Sequence, residues 1–191
     1  DVWDAVDWAL NASRSPYPNA HETAEIINLS LGWSTVSGYS DSAKFFDAVA
    51  DDLLVMVVNS AGNQGITGIT KPGEMYNGLT VANMDNRNTP QRSDDVWKDS
   101  SSVGPLPDNR KKPDVIAPGT AITTARRDWQ ETGNQFGTWT YFPGGSIPFT
   151  GTSFAAPHVT GAIALLYDYL STWPKTLKAV LINTADDWGV Q

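Results

Sequence analysis

Apolar positions along the chain change period several times, and each change predicts an element. Val2, Trp3, Val6 and Leu10 recur at helical spacing, which predicts a helix over residues 1–12. SRSPYPNA (13–20) is dense in turn formers. IINLSLG (26–32) is a short apolar run closed by glycine, the pattern of a buried strand. Ser40 or Asp41 is placed to cap a helix that runs to about Leu53. LLVMVVNSAGN (53–63) is the strongest strand signal, a continuous β-branched run closed by Gly62. GLTVANM (78–84) predicts a third strand, residues 86–112 a long polar excursion, and PDVIAPG (113–119) a brief strand stopped by Pro118-Gly119. Between 126 and 146, Trp129, Phe136, Trp139, Tyr141 and Phe142 stand among polar residues, and alternation from Thr138 to Tyr141 predicts a hairpin packed by its aromatics. Helices are predicted over 152–170 and about 174–185, the second opened by Pro174.

Strands alternating with helices predict an α/β fold with a parallel, doubly wound sheet. Ligands gather at the carboxyl ends of strands in such sheets, and Gly32, Asn63 and Gly151 all follow predicted strand ends. A length of 191 residues suits one domain with a real core. The net charge of −8 argues against nucleic acid as a partner. Without cysteine there are no disulfides or thiolate metal sites. The longest purely apolar run, LLVMVV (53–58), is too short to span a bilayer. Asp1 leads directly into an amphipathic pattern, with no signal-peptide signature at the start.

The chemistry concentrates in GTSFAAPHVTG (151–161). Ser153 stands between a glycine turn and a helix start, where a hydroxyl is exposed and the helix N-terminus faces charge developing beside it. Small residues after it let the helix bury its first turn. Pro157 is expected near that turn, where its missing N–H removes at most one intrahelical bond. For Gly-Thr-Ser alone, an ordinary N-cap is the better reading; the full string favours a nucleophile. Asn63 follows Ala61-Gly62, and its amide is suited to donate to an oxyanion. Alone, it reads equally as a turn asparagine.

Four motifs in order carry a resemblance: INLSLG (27–32), SAGNQG (60–65), KPDVIAPG (112–119) and GTSFAAPHVTG. Together they resemble the subtilisin-like serine proteases, the subtilases, over residues 26–185. The resemblance implies a three-layer α/β domain around a mostly parallel sheet, with residues 1–191 forming its nucleophile and oxyanion-hole half. It implies Ser153 as nucleophile, and Asn63 with the Ser153 N–H as oxyanion donors. Ser30, Leu31 and Gly32 would pair with a polypeptide substrate, and Ala61 and Gly62 would line the specificity pocket. Trp33 replaces the usual small residue and would narrow the cleft. The Asn63–Ser153 separation exceeds that of compact family members, with the surplus assigned to the polar excursion and the aromatic hairpin.

A serine nucleophile needs a base, usually histidine, and an acid to orient it. In the family both precede the substrate-binding strand, and no matching Asp or His motif precedes Ile26. Of the two histidines, His158 lies about 140° around the helix from Ser153, and His21 reads as a solvated loop residue. The expectation is therefore a fragment that lacks the family's N-terminal strands, catalytic Asp and catalytic His, and is inactive alone. Its partners would be the remaining N-terminal part of the domain, or a second copy joined through an exposed 26–31 strand edge.

No cofactor is expected. Some relatives hold a cation near Asp114 and the carbonyls of Gly73–Leu79, but one carboxylate falls short of calcium's six to eight oxygens, and a structural role for Asp114 is preferred. Asp186-Asp187 read as solvated charges. The alternative to a peptidase is a degenerate, non-catalytic subtilase used for peptide binding or assembly. A sedolisin-type acid peptidase would carry aspartate where Asn63 stands. A transpeptidase would share the nucleophile motif. By resemblance, the protein would be secreted or in the cell envelope.

Overall fold

The computed structural model describes residues 1–11, 24–124, 149–170 and 173–187. His21 and the predicted aromatic hairpin lie outside them.

Strands β1 (Ile26–Leu29), β3 (Met56–Ser60), β5 (Leu79–Asp85) and β7 (Val115–Pro118) form a parallel core. β1 pairs β3 in the register Ile26↔Met56, β3 pairs β5 as Val58↔Leu79, and β5 pairs β7 as Val81↔Val115. A short antiparallel strand, β6 (Val96–Trp97), joins the far end of β5. Outside this sheet, β2 (Trp33–Thr35) pairs antiparallel with β4 (Thr70–Lys71).

Alternation along the strands sorts their side chains to two faces. Ile26, Met56, Val58, Leu79 and Val81 pack against Ala155, Ala156, Val159 and Ile163 of α3 (Thr152–Leu170), with Leu177 of α4 (Pro174–Thr184). Ile27, Leu29, Val55 and Val57 pack against Ala43, Phe46, Val49 and Ala50 of α2 (Asp41–Asp52), with Val6 of α1 (Val2–Leu10). The result is the expected three-layer α/β arrangement. Each fully buried aliphatic or aromatic side chain contributes about 1.5–3 kcal/mol of transfer free energy, and small alanines let α3 lie close on the sheet.

Capping follows the sequence signals. Ser40 accepts the Ala43 N–H and starts α2, while Pro174 opens α4. The start of β3 differs from expectation. The strand predicted from Leu53 begins at Met56, because Leu53 closes α2 through Val49 and Leu54 adopts φ 57°. The apolar run then continues without a break in hydrophobicity, which hides the turn. Helix α3 starts at Thr152, as expected, which puts Pro157 in its second turn.

Candidate active site

The carboxyl ends of β1, β3 and β7 converge on the start of α3. Gly119, after β7, accepts the Gly151 N–H on its carbonyl at 2.8 Å. A Cβ on Gly119 would lie 2.7 Å from Gly151 O and 2.6 Å from Asn83 Oδ1, so only glycine allows this approach. The contact fixes the turn that presents Ser153.

Pro157 has a consequence for that turn. A residue at that position would normally donate to the carbonyl of Ser153, four residues back. Proline has no N–H, so this carbonyl is freed. Ser30 Oγ, beyond the end of β1, donates to it at 2.8 Å. The contact is reciprocal, since Ser153 Oγ donates to Ser30 O at 3.3 Å. Asn28 Nδ2 donates to Ser30 Oγ at 2.8 Å, and Thr160 Oγ1 donates to Asn28 Oδ1 at 3.0 Å. A missing helix bond thus becomes the tie between the Ser153 turn and the β1 exit.

Asn63 sits opposite, exposed, in the loop after β3. Its Oδ1 accepts from the Thr152 N–H at 2.9 Å and from Thr152 Oγ1 at 3.1 Å. Thr152 Oγ1 in turn accepts the Gly62 N–H at 3.2 Å. Two donors on Thr152 fix which end of the amide is oxygen, and the NH2 is the end left to donate to a ligand. Asn63 is therefore tied to Thr152, the residue next to Ser153 in the chain. No local sequence signal gives Thr152 this role, although it stands inside GTSFAAPHVTG.

Ala61 and Gly62 line the loop after β3, and Ser30, Leu31 and Gly32 the link from β1 to β2. The two backbones are tied where Ser60 Oγ donates to Leu31 O at 3.2 Å. Thr70 of β4 lies against both. A Cβ on Gly32 would meet Thr70 Oγ1 at 2.4 Å, and one on Gly62 would meet Thr70 Cγ2 and Oγ1 at 2.7 Å. Gly62 also has φ +109°, a left-handed value suited to glycine. Thr70 is held in place by its Oγ1 and N–H, both donating to Ala61 O. No local sequence signal marked it.

His158 is exposed, and its Nδ1 bonds to Phe154 O at 2.8 Å; a carbonyl only accepts, so Nδ1 carries the proton. Asp186 is exposed and pairs with Arg92.

At Asp114 the surroundings do not fit a metal ion. Lys112 Nζ lies 2.5 Å from Asp114 Oδ2, and Lys178 Nζ lies 3.5 Å from Oδ1 and 2.7 Å from the carbonyls of Tyr76 and Gly78. Burial pulls Lys112 down to about 8, against the opposing pull of Asp114. Two ammonium groups already occupy these oxygens. Among the described residues, no group of three or more His, Asp or Glu side chains is placed to hold a metal, and no helix is long and apolar enough to cross a membrane.

Solved structures with the same layout are subtilisin-like proteases. A psychrophilic protease, S41, superposes with a TM-score of 0.66 at 27% identity, covering 95% of this chain and 54% of its own. The prenylagaramide maturation protease PagA gives 0.63 at 26% identity, covering 85% and 52%. The fold is thus that of a subtilisin-like protease. The sequence pattern of the subtilase family matches residues 2–191, and the chain belongs to that family. The serine protease AprX of Bacillus subtilis is 28% identical over 98% of this chain and 43% of its own length. An extracellular protease of Xanthomonas campestris is 27% identical over 97% of this chain and 28% of its own length. The chain spans less than half the length of these curated relatives.

Proposed function

We propose that this chain is the nucleophile-bearing part of a serine endopeptidase that cleaves peptide bonds through an acyl-enzyme. Ser153 attacks the scissile carbonyl. The Asn63 amide and the Ser153 N–H receive the oxyanion, and the substrate lies as a strand along Ser30, Leu31 and Gly32. The single observation that supports this most is the pairing of Asn63 Oδ1 with Thr152 at the start of α3, which leaves the amide NH2 as the end to donate.

Base and orienting acid come, on this reading, from another segment of polypeptide, and residues 1–191 form a partial peptidase domain that is silent alone. The chain has two histidines, and His158 spends its Nδ1 on its own helix. Supplying a polypeptide that carries the Asp and His motifs should create peptidase activity, which Ser153→Ala abolishes. Asn63→Ala should lower turnover about 10²–10³-fold with KM nearly unchanged, a range taken from subtilisin-type oxyanion donors in general. Activity that survives Ser153→Ala would end the proposal. A complemented protein that binds peptide but never cleaves it would favour the degenerate, peptide-binding alternative.

β1 closes one end of the described sheet, paired with β3 on one side. Ile26 and Ile27 are only half-buried there. This edge is proposed as the seam for the complementary segment or, without it, for a second copy of the chain. A sedimentation coefficient that does not change with concentration would count against self-association. The extracellular protease among the relatives supports secretion or the cell envelope as its place of action.

A further inference from the structure

We infer that the ammonium group of Lys178 is the structural cation of this protein, a covalently attached substitute for a metal ion in the oxygen cradle formed by Tyr76 O, Gly78 O and Asp114. An ammonium has three donors and no acceptor. Here it faces three oxygens: the two carbonyls at 2.7 Å and Asp114 Oδ1 at 3.5 Å. Backbone carbonyls together with a carboxylate are the donor set that hard cations select.

The cradle is built by the fold rather than by Lys178. Asp47 of α2 accepts the Tyr76 N–H on Oδ2 at 2.9 Å and the Asn77 N–H on Oδ1 at 2.6 Å. Asn77 Nδ2 donates back to Asp47 O at 3.1 Å. These bonds pin the 76–78 loop from the α2 side, leaving its carbonyls to converge on the other. Asp114 is oriented by the Thr80 N–H, which donates to Oδ2 at 2.7 Å. Lys112 Nζ takes that same oxygen and Thr80 Oγ1. Lys178 reaches the remaining oxygens from α4, so one cation joins α4, the loop before β5 and the start of β7.

A divalent ion added here would set further positive charge beside two ammonium groups that share one carboxylate. Delivery by the chain also keeps the cation in place at any metal concentration, because no free ligand has to be bound. The fold at this point is therefore independent of calcium and alkali ions. Lys178 is necessary where a metal would otherwise be.

Thermal unfolding of the whole chain tests this. Wild type should show the same Tm, within about 1 °C, in EDTA and in millimolar calcium chloride. Lys178→Met keeps most of the stem and removes the charge. In choline chloride its Tm should fall by about 5 °C or more. Sodium or calcium chloride at matched ionic strength should restore at least half of that loss, because the cradle then stands open to a free ion. A wild-type Tm that rises with calcium overturns the inference. So does a variant that unfolds at the wild-type temperature, or a loss that neither ion reverses. Calorimetric titration of wild type with calcium decides the matter if Lys178→Met does not fold: no heat of binding is expected, and stoichiometric binding overturns the assignment.

Discussion

Added to the isolated chain, a fluorophosphonate probe is expected to leave Ser153 unlabelled on the timescale in which a complete serine peptidase reacts to stoichiometry. Such probes report the activated alcohol rather than the mere presence of serine. In the structure the Ser153 hydroxyl donates to the carbonyl of Ser30, which cannot take its proton. A positioned base is worth about 10²–10⁴ in rate, and more where nucleophile and base act as a unit. The expected labelling rate is therefore at least about 10²–10⁴ below that of an intact enzyme. Mass spectrometry of the probe-treated chain gives the readout. Rapid stoichiometric modification of Ser153 would show that a base is already in reach. It would sink the claim of inactivity while leaving Ser153 as the nucleophile.

The second large effect concerns the side chain that precedes the scissile bond. On the proposed reading it enters between the Gly32 and Gly62 backbones. Thr70 already fills the space that a methyl group on either glycine would need. Peptides with glycine, alanine or serine at that position should bind this cleft. Peptides with phenylalanine or leucine should bind at least about tenfold more weakly, because forcing volume into a packed site costs about 1–3 kcal/mol. Thr70→Gly should remove the discrimination and improve phenylalanine binding about tenfold or more. Chemical shifts of the Gly32 and Gly62 amides, followed while each peptide is titrated, measure both affinities without needing catalysis. Wild-type protein that takes phenylalanine as tightly as alanine would refute the role of Thr70. Failure of every peptide to shift those amides would instead strike at the substrate cleft itself. Since Thr70 also bonds to Ala61 O, the Tm of the variant must be read alongside.

Much of the architecture was legible because it is written in local periodicity. The runs that became β1 and β3 send apolar side chains to both faces, as strands buried between helix layers do. Ser40 and Pro174 marked helix starts through chemistry that acts within one turn. Where two signals merged, boundaries slipped. Leu53 and Leu54 extend the apolar run of β3, yet they belong to the exit of α2, where a left-handed residue turns the chain.

The chain alone determined the alternation of elements, the order of its motifs and the identity of the groups fit for chemistry, since these depend on residue type and short spacing. Tertiary structure decided what each group touches. Ser30 lies 123 positions from Ser153, yet the bond removed by Pro157 is replaced by the Ser30 hydroxyl. Asn63 has its amide oriented by Thr152, 89 positions away. Thr70 comes to stand between two glycines, and Lys178 reaches the carbonyls of a loop about 100 positions earlier. Such contacts depend on where parallel strands end relative to one another. That placement is set by helix packing across the whole sheet, and no window of neighbouring residues carries it.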